Sequence, residues 1–123
     1  MEYMLLINVE GAPGSGSDED REAMSAEFGR YTQELIDAGA MGGGDALQPP
    51  TTATTVRVQG GETLTTDGPF AETKEWLAGY YKIDVDSLDE AIEWAARIPT
   101  VKHGGSIEVR PVMPQPAGRT SSS

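Results

Sequence analysis

Residues 77–99, LAGYYKIDVDSLDEAIEWAARIP, change hydrophobic period once, and that change sets the fold class. Leu77, Gly79, Tyr81, Ile83 and Val85 fall on one face of an extended chain, and Trp76, Ala78, Tyr80, Lys82 and Asp84 on the other. Ser87-Leu88-Asp89-Glu90 then reads as a capping box. It opens a helix with Leu88, Ala91, Ile92, Ala95 and Ile98 on one side, Trp94 at the edge of that stripe and Pro99 as the stop. A last strand follows, in which Ile107, Val109 and Pro111 alternate with Ser106, Glu108 and Arg110.

The first third of the chain repeats this plan. Tyr3 to Val9 is a strand apolar on both faces, with Tyr3, Leu5, Ile7 and Val9 on one and Met4 and Leu6 on the other, so it expects cover on both sides. Gly11 to Ser17 is loop composition. Ser17 is placed as an N-cap, and Asp18, Glu19 and Asp20 occupy the first turn, where the helix dipole favours negative charge. Met24, Phe28, Tyr31 and Leu35 form one apolar stripe on a helix that ends near Gly39. Gly29 inside it costs about 1 kcal/mol relative to Ala and marks either close packing or a weak spot.

Between the two units, Gly42-Gly43-Gly44 leads an irregular second strand that Pro49-Pro50 closes. Thr54 to Val58 and Glu62 to Thr66 flank Gly60-Gly61 as a hairpin. Strand, helix, strand with hairpin, strand, helix, strand is the order of an α+β, ferredoxin-like split βαβ sheet with two helices on one face and an extra β-hairpin. Such a sheet leaves its other face bare. The apolar second face of the first strand, joined there by Trp76 and Tyr80, predicts a homodimer that buries it.

The chain has 123 residues, one domain's worth, read as a single folded unit over 1–112 and a disordered Pro/Ser tail over 113–123. Twenty acidic against nine basic residues give a net charge of -11, which repels nucleic acid and anionic membranes, and the basic residues are scattered singly. The apolar run near the N-terminus is too short to span a bilayer, and with no cysteine the composition fits a cytoplasmic protein. With no cysteine and one histidine, neither a metal site nor a cofactor is expected.

The segment Thr66 to Trp76, TDGPFAETKEW, carries the strongest claim to chemistry. Gly68 allows backbone angles closed to other residues, Pro69 fixes its own φ, and Phe70 is suited to pin the loop to the core. A carboxylate held on so constrained a loop suits acid/base work, with Asp67 as the catalytic candidate and Glu72 and Lys74 as its electrostatic partners. The same residues also fit a plain reversal in which Asp67 bonds its own turn backbone. His103, in a Gly-rich loop, is the second catalytic candidate by virtue of its near-neutral pKa, against the alternative of an ordinary surface residue. Tyr31 and Tyr80, with Tyr81, are candidates to line a pocket between sheet and helix, against the alternative of core packing. Gly42 to Gly44 lacks the Lys and Ser/Thr of a phosphate loop.

Asp67-Gly68-Pro69-Phe70 with Ala71-Glu72-Thr73-Lys74-Glu75 resembles the signature of the YCII-related proteins of the DGPF-domain subgroup. Ala53 to Arg57, Gly79 to Val85, Leu88 to Ala91, Trp94 to Arg97 and Glu108 to Pro111 support the resemblance, which spans about residues 1 to 112. It implies a dimeric α+β barrel and a small-molecule ligand bound between sheet and helices. In some relatives it implies a His–Asp acid/base pair acting without a cofactor. No histidine in the N-terminal half of this chain matches that pair, which leaves Asp67 to carry over and His103 as a substitute. The resemblance also implies an alternative, a non-catalytic small-molecule or protein-binding dimer associated with sigma-factor regulation.

Overall fold

The computed structural model describes residues 1–11, 16–68 and 74–114. The elements are β1 (Glu2–Glu10), α1 (Asp18–Asp37), β2 (Met41–Ala46), β3 (Thr54–Gln59), β4 (Glu62–Asp67), β5 (Glu75–Asp84), α2 (Leu88–Ala96) and β6 (Ser106–Pro111), with short 3-10 turns at Pro50–Thr52 and Val101–His103. Four strands form an antiparallel sheet in the order β2-β5-β1-β6, and β3 and β4 pair separately. The β1-α1-β2 and β5-α2-β6 units therefore interleave, as a split βαβ fold requires.

Local chemistry starts both helices where the capping signals stand. Ser17 Oγ accepts from the Asp20 N–H at 3.1 Å and the Asp20 carboxylate accepts from the Ser17 N–H at 3.4 Å, a reciprocal cap. Ser87 Oγ accepts from the Glu90 N–H at 3.2 Å. Helix α1 ends at Ala38, and Gly39 follows with φ of 70°.

Register decides which side chains become core. Tyr3 pairs with Ile83 and Leu5 with Tyr81, so these residues share a face, and Tyr31 and Leu35 of α1 pack there together with Ala91 and Ala95 of α2 and Ile98. Leu5, Leu35, Ile83 and Ile98 are fully buried. The α2 stripe is narrower than its periodicity suggests, because Leu88 and Ile92 are each 49 % exposed while Ala91 and Ala95 face the sheet.

Strict alternation fails at one point in β5. Ile7 pairs with Gly79, but Asn8 pairs with Leu77, so Ala78 is an extra residue in a bulge. Beyond it the faces exchange. Trp76 lies opposite Val9, a residue packed against the core, and its indole N–H donates to the Gly11 carbonyl at 2.9 Å. The expectation that Trp76 joins Tyr80 on the uncovered face is thereby corrected, and Leu77 takes that side instead. The uncovered face has half-buried Met4, Leu6 and Tyr80 at its centre, flanked by the ion pairs Lys82–Glu2 at 3.5 Å and Arg110–Glu108 at 3.6 Å.

The hairpin is as its sequence requires. Gly60 and Gly61 both have positive φ, 57° and 83°, the handedness of a tight two-residue turn. Among the described residues no helix is long and apolar enough to cross a membrane.

Candidate functional site

Close approach of β2 to β5 opens a cleft against α1. A Cβ on Gly44 would come within 2.6 Å of the Tyr80 carbonyl oxygen, and one on Gly79 within 2.7 Å of the Asp45 carbonyl oxygen. Both distances are shorter than real Cβ contacts, so glycine lets the edge strand lie close against its neighbour. The ladder runs one residue past β2, where the Leu47 N–H donates to the Ala78 carbonyl at 2.8 Å, and Pro49 and Pro50 then end it.

The resulting cavity is about 260 Å³, with Phe28 and Thr32 of α1 on one side, Met41, Gly44 and Ala46 of β2 on another, and Ile7, Ala78, Gly79 and Tyr81 as the floor; Asp45 and Tyr80, paired in register next to Gly44 and Tyr81, border it with their backbone and turn their side chains to the uncovered face. Thr100 closes one end. The lining is mostly apolar with a few convergent polar groups, the usual make-up of a small-molecule pocket. Phe28 and Tyr81 stack with ring centroids 6.5 Å apart.

Each polar group has a definable state. Thr32 Oγ1 and the Tyr81 hydroxyl share a hydrogen bond of 2.8 Å, in which either is the donor. The Tyr80 hydroxyl donates to Asp45 Oδ2 at 2.6 Å. That bond, then the charge of the Asp45 carboxylate and then desolvation raise the Tyr80 pKa above its ordinary value, so Tyr80 stays a neutral donor at physiological pH. Thr100 Oγ1 is buried and has no hydrogen-bond partner among the described residues. An unpaired buried hydroxyl costs about 1–3 kcal/mol relative to a paired one.

The sequence candidates scatter relative to this cleft. Since the adjacent Tyr81 faces Thr32 of α1 and the Tyr80 side chain lies with Asp45 on the uncovered face, Tyr80 borders the cleft through the strand backbone only. Tyr31 sits in the core behind it, with its ring edge-on to Tyr81 at 5.2 Å and to Trp94 at 5.9 Å, and its hydroxyl donates to the Trp94 carbonyl at 2.8 Å. Asp67 is exposed at the end of β4, paired in register with Thr54, and does not line the cleft. Gly68 has φ of 96°, as its role in the turn demands, and is fastened by its N–H to the Ala53 carbonyl at 2.7 Å and by its own carbonyl to the Thr55 hydroxyl at 2.9 Å. His103 is exposed on a 3-10 turn, its backbone N–H donating to the Thr100 carbonyl at 3.0 Å, and it too is absent from the cleft lining. Lys74 is exposed, and Phe70 and Glu72 lie outside the described residues. Among the described residues no group of three or more His, Cys, Asp or Glu side chains is placed to hold a metal.

Thr32, Thr100 and Phe28 escaped the sequence reading as site residues. Phe28 and Thr32 stand one helical turn apart, a polar residue beside the apolar stripe. That pattern is not specific without knowledge of which strand lies opposite.

An interleaved βαβ sheet with a cleft between one helix and the sheet edge defines a small α+β protein. The chain belongs to the YCII-related domain family, whose model matches residues 1–116. It is similar to an uncharacterised protein of Rhizobium meliloti (strain 1021), 40 % identical over 110 residues that cover 89 % of each chain.

Proposed function

We propose that the protein binds a small organic molecule in the cleft between α1, β2 and β5. The observation that carries this reading is the cavity itself, about 260 Å³ with a mostly apolar lining and the Thr32–Tyr81 hydroxyl pair in its wall. The test is calorimetric titration of a panel of small aromatic and branched aliphatic compounds into the wild-type chain and into Ala46→Trp, which fills the cavity from the edge strand. Saturable binding lost in Ala46→Trp supports the reading; equal behaviour of both proteins ends it.

The roles inferred for Asp67 and His103 form a separate proposal supported by the DGPF-subgroup resemblance. In that proposal Asp67→Asn lowers turnover of a substrate panel and leaves the melting temperature unchanged, whereas a purely structural Asp67 gives the reverse. A cytoplasmic homodimer formed through the Met4–Leu6–Tyr80 face is the expected assembly, and sedimentation showing a monomer at micromolar concentration removes it. The alternative, a non-catalytic dimer recruited to sigma-factor regulation, predicts that Asp67→Asn is without effect on any turnover.

A further inference from the structure

Resting on the cleft-binding reading, we infer that the cleft selects an uncharged, one-ring compound bearing a hydrogen-bond acceptor such as a ketone carbonyl, and rejects carboxylates and amines alike. The hydroxyl pair in its wall sets this preference. Thr32 Oγ1 and the Tyr81 hydroxyl lie 2.8 Å apart, and neither makes another side-chain hydrogen bond among the described residues. Two hydroxyls bring two protons and their shared bond uses one. Whichever group donates, the other keeps an O–H with no protein acceptor. In an apolar cavity, an acceptor on the occupant completes that donor.

The surroundings hold the donor in place and offer nothing to a charge. The Tyr81 ring stacks on Phe28 with centroids 6.5 Å apart and meets Tyr31 edge-on at 5.2 Å, so its hydroxyl is positioned before anything binds. Ile7, Met41 and Ala46 add apolar surface around it. Among the described residues, the one charged residue that borders the cavity is Asp45, and its carboxylate accepts from Tyr80 on the uncovered face. A carboxylate or an ammonium entering the cleft would lose its water with no opposite charge to replace it. A carbonyl would exchange one hydrogen bond for another. The cavity of about 260 Å³ lies at the small end of ligand pockets, which restricts the body to about one ring.

Acetophenone and α-methylstyrene share a shape and differ in one acceptor, while benzoate and benzylamine carry opposite charges on the same ring. The four are titrated into the full chain by ligand-observed NMR at physiological salt, where the field of a net charge of -11 is screened. Acetophenone binds about fivefold tighter than α-methylstyrene, the scale of one neutral hydrogen bond, and the charged probes bind weakest. Thr32→Val combined with Tyr81→Phe removes both hydroxyls and keeps their shapes. In that variant the ketone falls to the affinity of the alkene, and the alkene is unchanged. Equal binding of ketone and alkene by the wild-type protein, or tightest binding of either charged probe, overturns the inference while cleft binding stands, whether or not the variant folds. A preference for the ketone that survives in the double variant also overturns it, because another donor then serves the carbonyl. Binding that Ala46→Trp leaves intact, or absence of binding by all four probes, removes the cleft reading together with the inference.

Discussion

The hairpin β3–β4 and the β2–β5 edge of the four-stranded sheet are both antiparallel strand pairs, and they are built from opposite materials. The hairpin is rich in β-branched residues and turns through Gly60-Gly61, yet Val56 is 59 % exposed, Val58 68 % and Leu64 41 %. The β2 strand is Met-Gly-Gly-Gly-Asp-Ala, poor in strand-forming residues, and it makes the wall of the cleft. Strand propensity measures how side chains fill a pleated surface. Close backbone approach requires their absence, so the region with the weaker strand signal is the one that can form a concave wall.

Substitutions on the two ladders break or sharpen this contrast. The largest effect is expected at Gly79→Ala, whose new Cβ would press on the Asp45 carbonyl oxygen from 2.7 Å. Overpacking of this kind costs about 1–3 kcal/mol, and ligand binding in the cleft should be lost with it; a melting temperature and ligand affinity equal to wild type would show that β2 does not need close contact.

Behind the cleft, Tyr31 gives a pH signature. Burial, helped by the neighbouring Tyr81 and opposed by Arg97, lifts the Tyr31 pKa well above its ordinary 10.0. The folded protein therefore keeps that proton when the unfolded chain loses it. Stability is fully retained below pH 10 or so and declines as the pH rises above it. Tyr31→Phe should cost about 1 kcal/mol at pH 7, through loss of the bond to Trp94, and flatten the fall of melting temperature between pH 9.5 and 11. An unchanged alkaline slope would place the titrating group elsewhere.

Smaller effects are expected on exposed surfaces. Gly29 on α1 is exposed, and an added Cβ would meet nothing within 4 Å, so Gly29→Ala should stabilise by about 0.5–1 kcal/mol and raise the melting temperature. Val58→Thr on the hairpin should change stability by less than about 0.5 kcal/mol. A larger loss on this substitution would mean that the exposed stripe is covered in solution, and would make the hairpin a contact surface.

Much of the fold was legible because its signals are local. Ser17 and Ser87 mark helix starts through hydrogen bonds within one turn, Gly39 and Pro99 mark ends, and the apolar alternation of Tyr3, Leu5 and Ile7 identifies a core face without reference to any other strand. The alternation in β5 misled at Trp76 and Leu77 because a bulge is a property of the pairing between two strands, visible only once Ile7 and Asn8 are set against Gly79 and Leu77.

The candidate site divides the same way. Tyr81 could be nominated from its strand because its face follows from alternation within the unbroken part of β5, which puts Tyr80 on the other face. Thr32 and Thr100 could not, since each is an ordinary polar residue in its own segment and acquires meaning from neighbours distant in sequence. Composition and period by themselves determined an acidic, interleaved α+β domain, because charge sums over the chain and hydrophobic period is written residue by residue. Only the tertiary structure decided that the cleft lies beside β2 and that the Thr32 and Tyr81 hydroxyls meet in its wall. A cavity is the space left between elements, and its position depends on how closely two backbones can approach.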